Sequence, residues 1–350
     1  MYGRPHLAGF ECKEDTTILL DKNENPFRLP PSLREQIRQV VSGIDLNRYP
    51  DPEARALKQV LSEMTGISWR EIVVGNGGDE ILDLLFTAFT DKGQKVLTLS
   101  PTFTQYPELC RRHKVEWVPV PLRFEENRIV FDQERFLETV SSCSPALVLL
   151  DTPNNPTGIR IPNDFLSEFS ERFKGVLVID EAYGEFARET FLECFRNRTL
   201  PERLCILKTL SKAWGMAGLR IGYAACSPSV AERVESVRDP YNVGLLPQEI
   251  AKIVLKYGEW MESRVLSIRY LRDQLVKGIN RITGWRAFES ESNFVLVRSP
   301  IPISRVRERM EEACIRLKYL TLEQPGDWFR VSVGREEELG MFMNLLQELN

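Results

Sequence analysis

The chain has 350 residues, 43% of them apolar, enough to bury one large domain and a smaller companion and too apolar for a disordered polypeptide. Its 46 basic and 50 acidic side chains leave a net charge of −4 with no long run of like charge, which argues against nucleic acid as a partner. No apolar run approaches a membrane span and the first residues lack the apolar core of a secretory signal, so no membrane partner and a cytoplasmic location are expected.

Residues 1–30 are irregular and punctuated by proline, and are expected to form an arm across the large domain or a neighbouring subunit. A large domain is expected over 31–240. Helical periodicity covers about 53–65, 79–90, 104–113 and 162–173, alternating with the apolar runs Val96–Ser100, Val115–Val120, Ala146–Asp151, Val176–Asp180, Cys205–Thr209 and Ile221–Cys226. Strands so short and so uniformly apolar are buried on both faces, which indicates an α/β fold with a mostly parallel central sheet flanked by helices. Beyond Pro240 come a long helical stretch over about 246–281, a strand Asn293–Arg298, a helix near 303–314, a strand Phe329–Val333 and a final helix from Glu336. These predict a smaller α+β domain over 241–350. The seven cysteines form no CxxC pair and there are only two histidines, His6 and His113, so neither a disulfide framework nor a metal site is suggested.

The densest chemical signal is Thr209-Leu-Ser-Lys212-Ala-Trp-Gly-Met-Ala-Gly-Leu-Arg220-Ile-Gly-Tyr, a lysine after a buried strand with an arginine eight residues on. Lys212 is either an ordinary loop charge or the amine that joins a carbonyl cofactor as a Schiff base. Arg220 has the planar fork that grips a phosphate monoester, and Thr209 and Ser211 add hydroxyl donors. Asp180 ends a strand; it either caps a helix or faces a pyridine nitrogen, keeping the ring protonated and electron-withdrawing. Tyr183, three residues on, then reaches the ring's phenolic oxygen.

Asp151-Thr-Pro-Asn154-Asn155-Pro156-Thr-Gly158 is a tight turn after a strand, and the Asn155 amide can donate to the same oxygen. The loop Gly75-Asn-Gly77-Gly78-Asp79-Glu80 enters a helix, so its backbone N–H groups form an anion cradle, without the spacing of a Walker or dinucleotide loop. Phe103 either stacks on a planar ring or is core. Arg330 lies within the apolar strand Trp328-Phe-Arg330-Val-Ser-Val and needs an anion, whether an internal carboxylate or a substrate group.

Asn23-Glu-Asn25-Pro, Arg48-Tyr49-Pro-Asp-Pro, the glycine loop, PNNPTG, DEAY, the lysine segment, Pro240-Tyr-Asn-Val and FRVSVG follow one another along the chain. Together they resemble the fold-type I pyridoxal-phosphate aminotransferases, most closely the histidinol-phosphate aminotransferase family. The resemblance implies pyridoxal 5′-phosphate as cofactor, held as an internal aldimine by Lys212. It puts Asp180 on the ring nitrogen, Asn155 and Tyr183 on the ring oxygen, and Phe103 on the ring face. Phosphate falls to Gly77, Gly78, Asp79, Thr209, Ser211 and Arg220, with Tyr49 from a second subunit, hence a homodimer with shared active sites.

It further implies ping-pong amino transfer in which the freed Lys212 amine serves as base and acid. The partners are then a small-molecule amino donor and a 2-oxo acid acceptor, histidinol phosphate and 2-oxoglutarate. Arg330 and Asn25 fall on the substrate side. So do His6, where the family carries a tyrosine, and Lys318, near a second anion-binding arginine of the family; lysine keeps the charge but not the fork. Phe27-Arg28 replaces a glycine expected after the Asn-Glu-Asn-Pro segment. Transamination of aromatic amino acids and decarboxylation of threonine phosphate are the alternative reactions.

Overall fold

The structure, a computed structural model, describes residues 17–350. It opens with β1 (Ile18–Leu20), α1 (Pro31–Ser42) and α2 (Arg55–Thr65). Proline at the first position of α1 loses no helical N–H bond, and Gly66 closes α2 in the left-handed region at φ 74°. β2 (Ile72–Asn76) runs through the glycine turn into α3 (Gly78–Phe89), followed by β3 (Lys95–Ser100), α4 (Gln105–His113) and β4 (Glu116–Pro121). A hairpin of β5 (Arg123–Phe124) and β6 (Ile129–Val130) leads to α5 (Gln133–Cys143), N-capped by the Asp132 carboxylate, which accepts from the Arg135 N–H. Next come β7 (Leu147–Asp151), α6 (Asn163–Arg172), β8 (Val176–Asp180), β9 (Leu204–Thr209), β10 (Ile221–Cys226) and α7 (Pro228–Glu235). The chain ends with α8 (Leu245–Val254), α9 (Gly258–Ile279), β11 (Arg286–Ala287), β12 (Phe294–Ser299), α10 (Ile303–Glu312), β13 (Ile315–Leu320), β14 (Asp327–Ser332) and α11 (Glu336–Glu348).

The larger sheet has the order β2-β10-β9-β8-β7-β3-β4. β4, β3, β7, β8 and β9 run parallel, and β10 lies antiparallel between β9 and β2. Every residue of β7, β8, β9 and β10 is buried. Successive side chains alternate between two cores: Val148, Leu150, Leu177, Ile179 and Ile206 enter one, Leu147, Leu149, Val178, Cys205 and Leu207 the other. The smaller sheet, β1-β13-β14-β12-β11, builds a third core with α9, α10 and α11. The fold is therefore α/β, with the mostly parallel sheet that the apolar runs predict.

Three expectations need correction. The arm over residues 1–30 is not uniformly irregular, because Ile18–Leu20 pairs in parallel with Ile315–Leu317 and buries Leu20 in the third core. The helical stretch over 246–281 is two helices, broken at Leu255–Tyr257. The break lets each half serve a different core: Ala251 and Val254 of α8 join the large one, whereas Val265, Ile268, Leu275 and Ile279 of α9 join that of the smaller sheet. Among the described cysteines Cys314 alone is disulfide-bonded, and one such residue leaves no spacing pattern to read. No described helix is long and apolar enough to cross a membrane.

Candidate active site

Parallel strands bring their carboxyl ends to one edge of a sheet, and loops leaving that edge can converge. β2, β3, β7, β8 and β9 deliver Gly78, Phe103, Asn155, Asp180 and Lys212 to one edge, around a cavity of about 400 Å³. Arg220 arrives from the other direction. It precedes β10, and because that strand is antiparallel its start lies at the same edge. The cavity also touches Lys22, Asp79, Asp151, Tyr183, Thr209 and Ser211. A larger cleft of about 730 Å³ near the amino ends of β7 and β8 is floored by Phe165, Phe169 and Phe173 and contains none of these groups.

One end of the cavity is built for an anion. Gly77 sits at φ 79° at the start of α3, where no side chain caps the helix. The first-turn amides therefore remain available to a ligand. Any side chain at Gly77 would run into the Arg220 guanidinium. The Arg220 guanidinium donates to the Asp79 carboxylate at 3.0 Å, a half-exposed pair. Thr209 and Ser211 stand side by side, their hydroxyls 3.0 Å apart.

The other end is built for a cation. Asp180 is buried, and its two oxygens accept from the Tyr106 hydroxyl at 2.8 Å and the Ala182 N–H at 2.9 Å. Burial pushes its carboxyl above the ordinary range, while the bond from Tyr106 opposes that shift. Asp151 lies beside it, in register on β7. Its carboxylate accepts from the Asn155 N–H at 2.8 Å, the Asn154 amide at 2.9 Å and the Thr102 hydroxyl at 3.1 Å. Burial raises its carboxyl to about 7, against the donors from Asn155 and Asn154.

The Lys212 amine lies among these groups, donating to the Lys22 carbonyl at 2.9 Å and 5.5 Å from the centre of the Tyr183 ring. The Tyr183 hydroxyl accepts from the Asn23 amide at 2.9 Å. Phe103 lines the cavity and meets Tyr106 edge-on. Arg330 is buried, and burial lowers its pKa. It donates to the Asn155 side-chain oxygen at 2.5 Å and the Asp21 carbonyl at 2.7 Å, while its Nε has no partner among the described residues. Among the described residues no carboxylate forms an ion pair with it, so the internal salt bridge is not what satisfies this charge.

The remaining sequence-derived positions fall outside this cluster. Asn25 does not line the cavity; its amide donates to the Ala213 carbonyl at 2.9 Å and so braces the loop after Lys212. Lys318 lies directly across from Arg330 in the β13–β14 pair. Tyr49 is 82% exposed and stacks on Tyr241, 4.7 Å between ring centres. His6 lies outside the described residues. Sequence reasoning missed Tyr106 and the buried role of Asp151, and it read the Asn23-Glu-Asn25-Pro segment without giving Asn23 a role. Tyr106 had a readable signal, since three residues after Phe103 is about one helical turn.

The donor set fits pyridoxal phosphate: uncapped helix amides, hydroxyls and a guanidinium for a phosphate, a buried carboxylate for a ring cation, and a primary amine between them. A match to the aminotransferase class I and II family model spans residues 15–346. The chain belongs to that family. Histidinol-phosphate aminotransferases from Thermoanaerobacter pseudethanolicus and Thermobifida fusca are 33% and 34% identical to it, each over 99% of this chain and over 98% and 91% of their own lengths. Among solved structures, the histidinol-phosphate aminotransferase of Sinorhizobium meliloti in complex with pyridoxal-5′-phosphate superposes with a TM-score of 0.86 at 26% identity, covering 95% of this chain and 90% of that one.

Proposed function

We propose that this family member is a pyridoxal 5′-phosphate-dependent aminotransferase that exchanges the amino group of histidinol phosphate with 2-oxoglutarate. What carries the reading is the polarity of one cavity: uncapped amides and Arg220 at one end, buried Asp180 at the other, the Lys212 amine between them. Full-length similarity to histidinol-phosphate aminotransferases supports the substrate.

When bound, pyridoxal phosphate supplies an electron sink that weakens the Cα–H bond of the amino donor. The backbone of Gly77, Gly78 and Asp79 together with Thr209, Ser211 and Arg220 would hold its phosphate, and Asp180 its ring nitrogen. Asn155 and Tyr183 would donate to its ring oxygen and Phe103 would cover its face. Lys212 Nζ takes the proton from the donor's Cα and later returns one, acting first as base and then as acid. Arg330, which forms no ion pair among the described residues, grips the substrate carboxylate. Lys318, opposite it on β13, adds a second positive charge for the phosphate or distal carboxylate. Tyr49, exposed like Leu46 three residues before it, serves the phosphate of a second copy, so the working unit is a homodimer.

A panel of amino donors tests this reading. Histidinol phosphate and glutamate are each expected to aminate the bound cofactor, and the two half-reactions to give parallel double-reciprocal plots. Amination by phenylalanine without histidinol phosphate would overturn the substrate. Carbon dioxide release from threonine phosphate without amination by glutamate would overturn the reaction. Lys212→Ala is expected to abolish both half-reactions and the visible band of the lysine-linked cofactor.

A further inference from the structure

We propose that Asn23 is a positioning residue of the site: its side-chain amide holds the Tyr183 hydroxyl as an acceptor, which directs the tyrosine's single proton into the cavity. The inference rests on the functional reading above, in which that proton meets the ring oxygen of pyridoxal phosphate.

Asn23 is 1% exposed and sits at φ 56°, a left-handed conformation that asparagine tolerates. Its backbone N–H donates to the Ser332 hydroxyl at 2.8 Å, and that hydroxyl donates its own proton to Asn23 Oδ1 at 3.0 Å. With the oxygen thus engaged, the amide nitrogen faces Tyr183, donating to its hydroxyl at 2.9 Å. A phenol has one proton to give. No described side chain or carbonyl accepts it, and Tyr183 lines the cavity, with Phe294 and the Lys212 amine against its ring.

The peptide that carries Asn23 is itself tied to the site. The carbonyls of Asp21, Lys22 and Asn23 accept in turn from Arg330 at 2.7 Å, Lys212 at 2.9 Å and Asn293 at 2.9 Å. A test must therefore separate an effect through the Tyr183 hydroxyl from a loosening of this segment.

Absorbance of the full-length, pyridoxal phosphate-loaded protein against pH makes that separation. A proton donated to the ring oxygen weakens that oxygen's hold on the proton of the lysine-linked nitrogen, so losing the donor raises the midpoint of the visible band. Tyr183→Phe is expected to raise it. Asn23→Gly, which accepts a left-handed φ without strain, is expected to raise it by about one pH unit, the worth of one hydrogen bond. In the double variant the glycine should add nothing further, because the amide acts only through the hydroxyl. Asn23→Asp is isosteric and takes the tyrosine's proton instead of supplying one; it should raise the midpoint at least as far as Tyr183→Phe, and it stands in if the glycine variant fails to fold. A midpoint unmoved by either Asn23 variant, or moved equally by Asn23→Gly with and without the hydroxyl, overturns the proposal. A wild-type protein with no pH-dependent visible band overturns the functional reading instead.

Discussion

Arg330 is an incompletely satisfied charge beside the cavity. It is buried, its Nε has no partner among the described residues, and its two bonds go to neutral oxygens of Asn155 and Asp21. A buried guanidinium held only by neutral acceptors gains most when an anion arrives. Arg330→Ala is therefore expected to lower kcat/KM for carboxylate substrates roughly a hundredfold, about 3 kcal/mol. Arg330→Lys should recover only part of that loss, because the amine lacks the fork. Unchanged steady-state constants in both variants would remove the substrate role. Asp180 supports a second expectation. Burial raises its carboxyl and the Tyr106 hydroxyl opposes the rise by bonding the ionised form. Tyr106→Phe removes the opposing bond, so the carboxyl moves further up and the ionised fraction at a given pH falls. The acid limb of the kcat/KM profile should shift to higher pH, with a loss of about tenfold at its foot. A profile superimposable on wild type would show that Tyr106 does not tune Asp180.

Between β2 and β10 the anion cradle depends on a strand glycine. Gly222 faces Gly75 across the antiparallel pair, and a Cβ at 222 would lie 2.5 Å from the Gly77 carbonyl carbon and the Gly78 nitrogen. Both are backbone atoms, which cannot step aside as a side-chain tip can. Gly222→Ala should therefore spread β10 from the start of α3, costing about 1–3 kcal/mol of stability and weakening pyridoxal phosphate binding at least tenfold. Wild-type affinity, measured by titrating the cofactor-free protein, would show that the cradle tolerates the shift. Legibility in the sequence follows the same physics. Strands buried on both faces, such as Val176–Asp180, stand out as unbroken apolar runs and position Asp180, Asn155 and Lys212. β13 does not stand out, because it alternates Ile315 and Leu317 inward with Arg316 and Lys318 outward and follows a helix without a glycine or proline to mark the turn. Residues with direct chemistry fall in recognisable segments. Tyr106 holds Asp180, 74 residues away; Asn23 lies in a recognisable segment, but its partner Tyr183 is 160 residues on, so the segment alone does not disclose its role.

At the scale of the whole molecule, the cavity of one chain lacks Tyr49, although the resemblance puts that residue on the cofactor phosphate. Tyr49 is 82% exposed, stacks on a half-exposed Tyr241 and follows by three residues Leu46, itself 73% exposed. Large exposed aromatic and aliphatic groups gathered in one place mark a surface that a partner covers. If a second copy covers it, each site is built from two chains, and two different defects can complement one another. Lys212→Ala disables the site of its own chain. Tyr49→Asp, which sets a carboxylate against a phosphate, should disable the site of the opposite chain. Each variant alone is then inactive. When the two are unfolded together and refolded, half of the dimers are hybrids, and in each hybrid one site draws Lys212 from one chain and Tyr49 from the other. Activity should return to about a quarter of the wild-type value for the same amount of protein, as random pairing in a two-fold dimer requires. The same mixture refolded separately and then combined should stay inactive until the subunits exchange. No recovery after joint refolding, with both variants sedimenting as dimers, would place Tyr49 outside the partner's site.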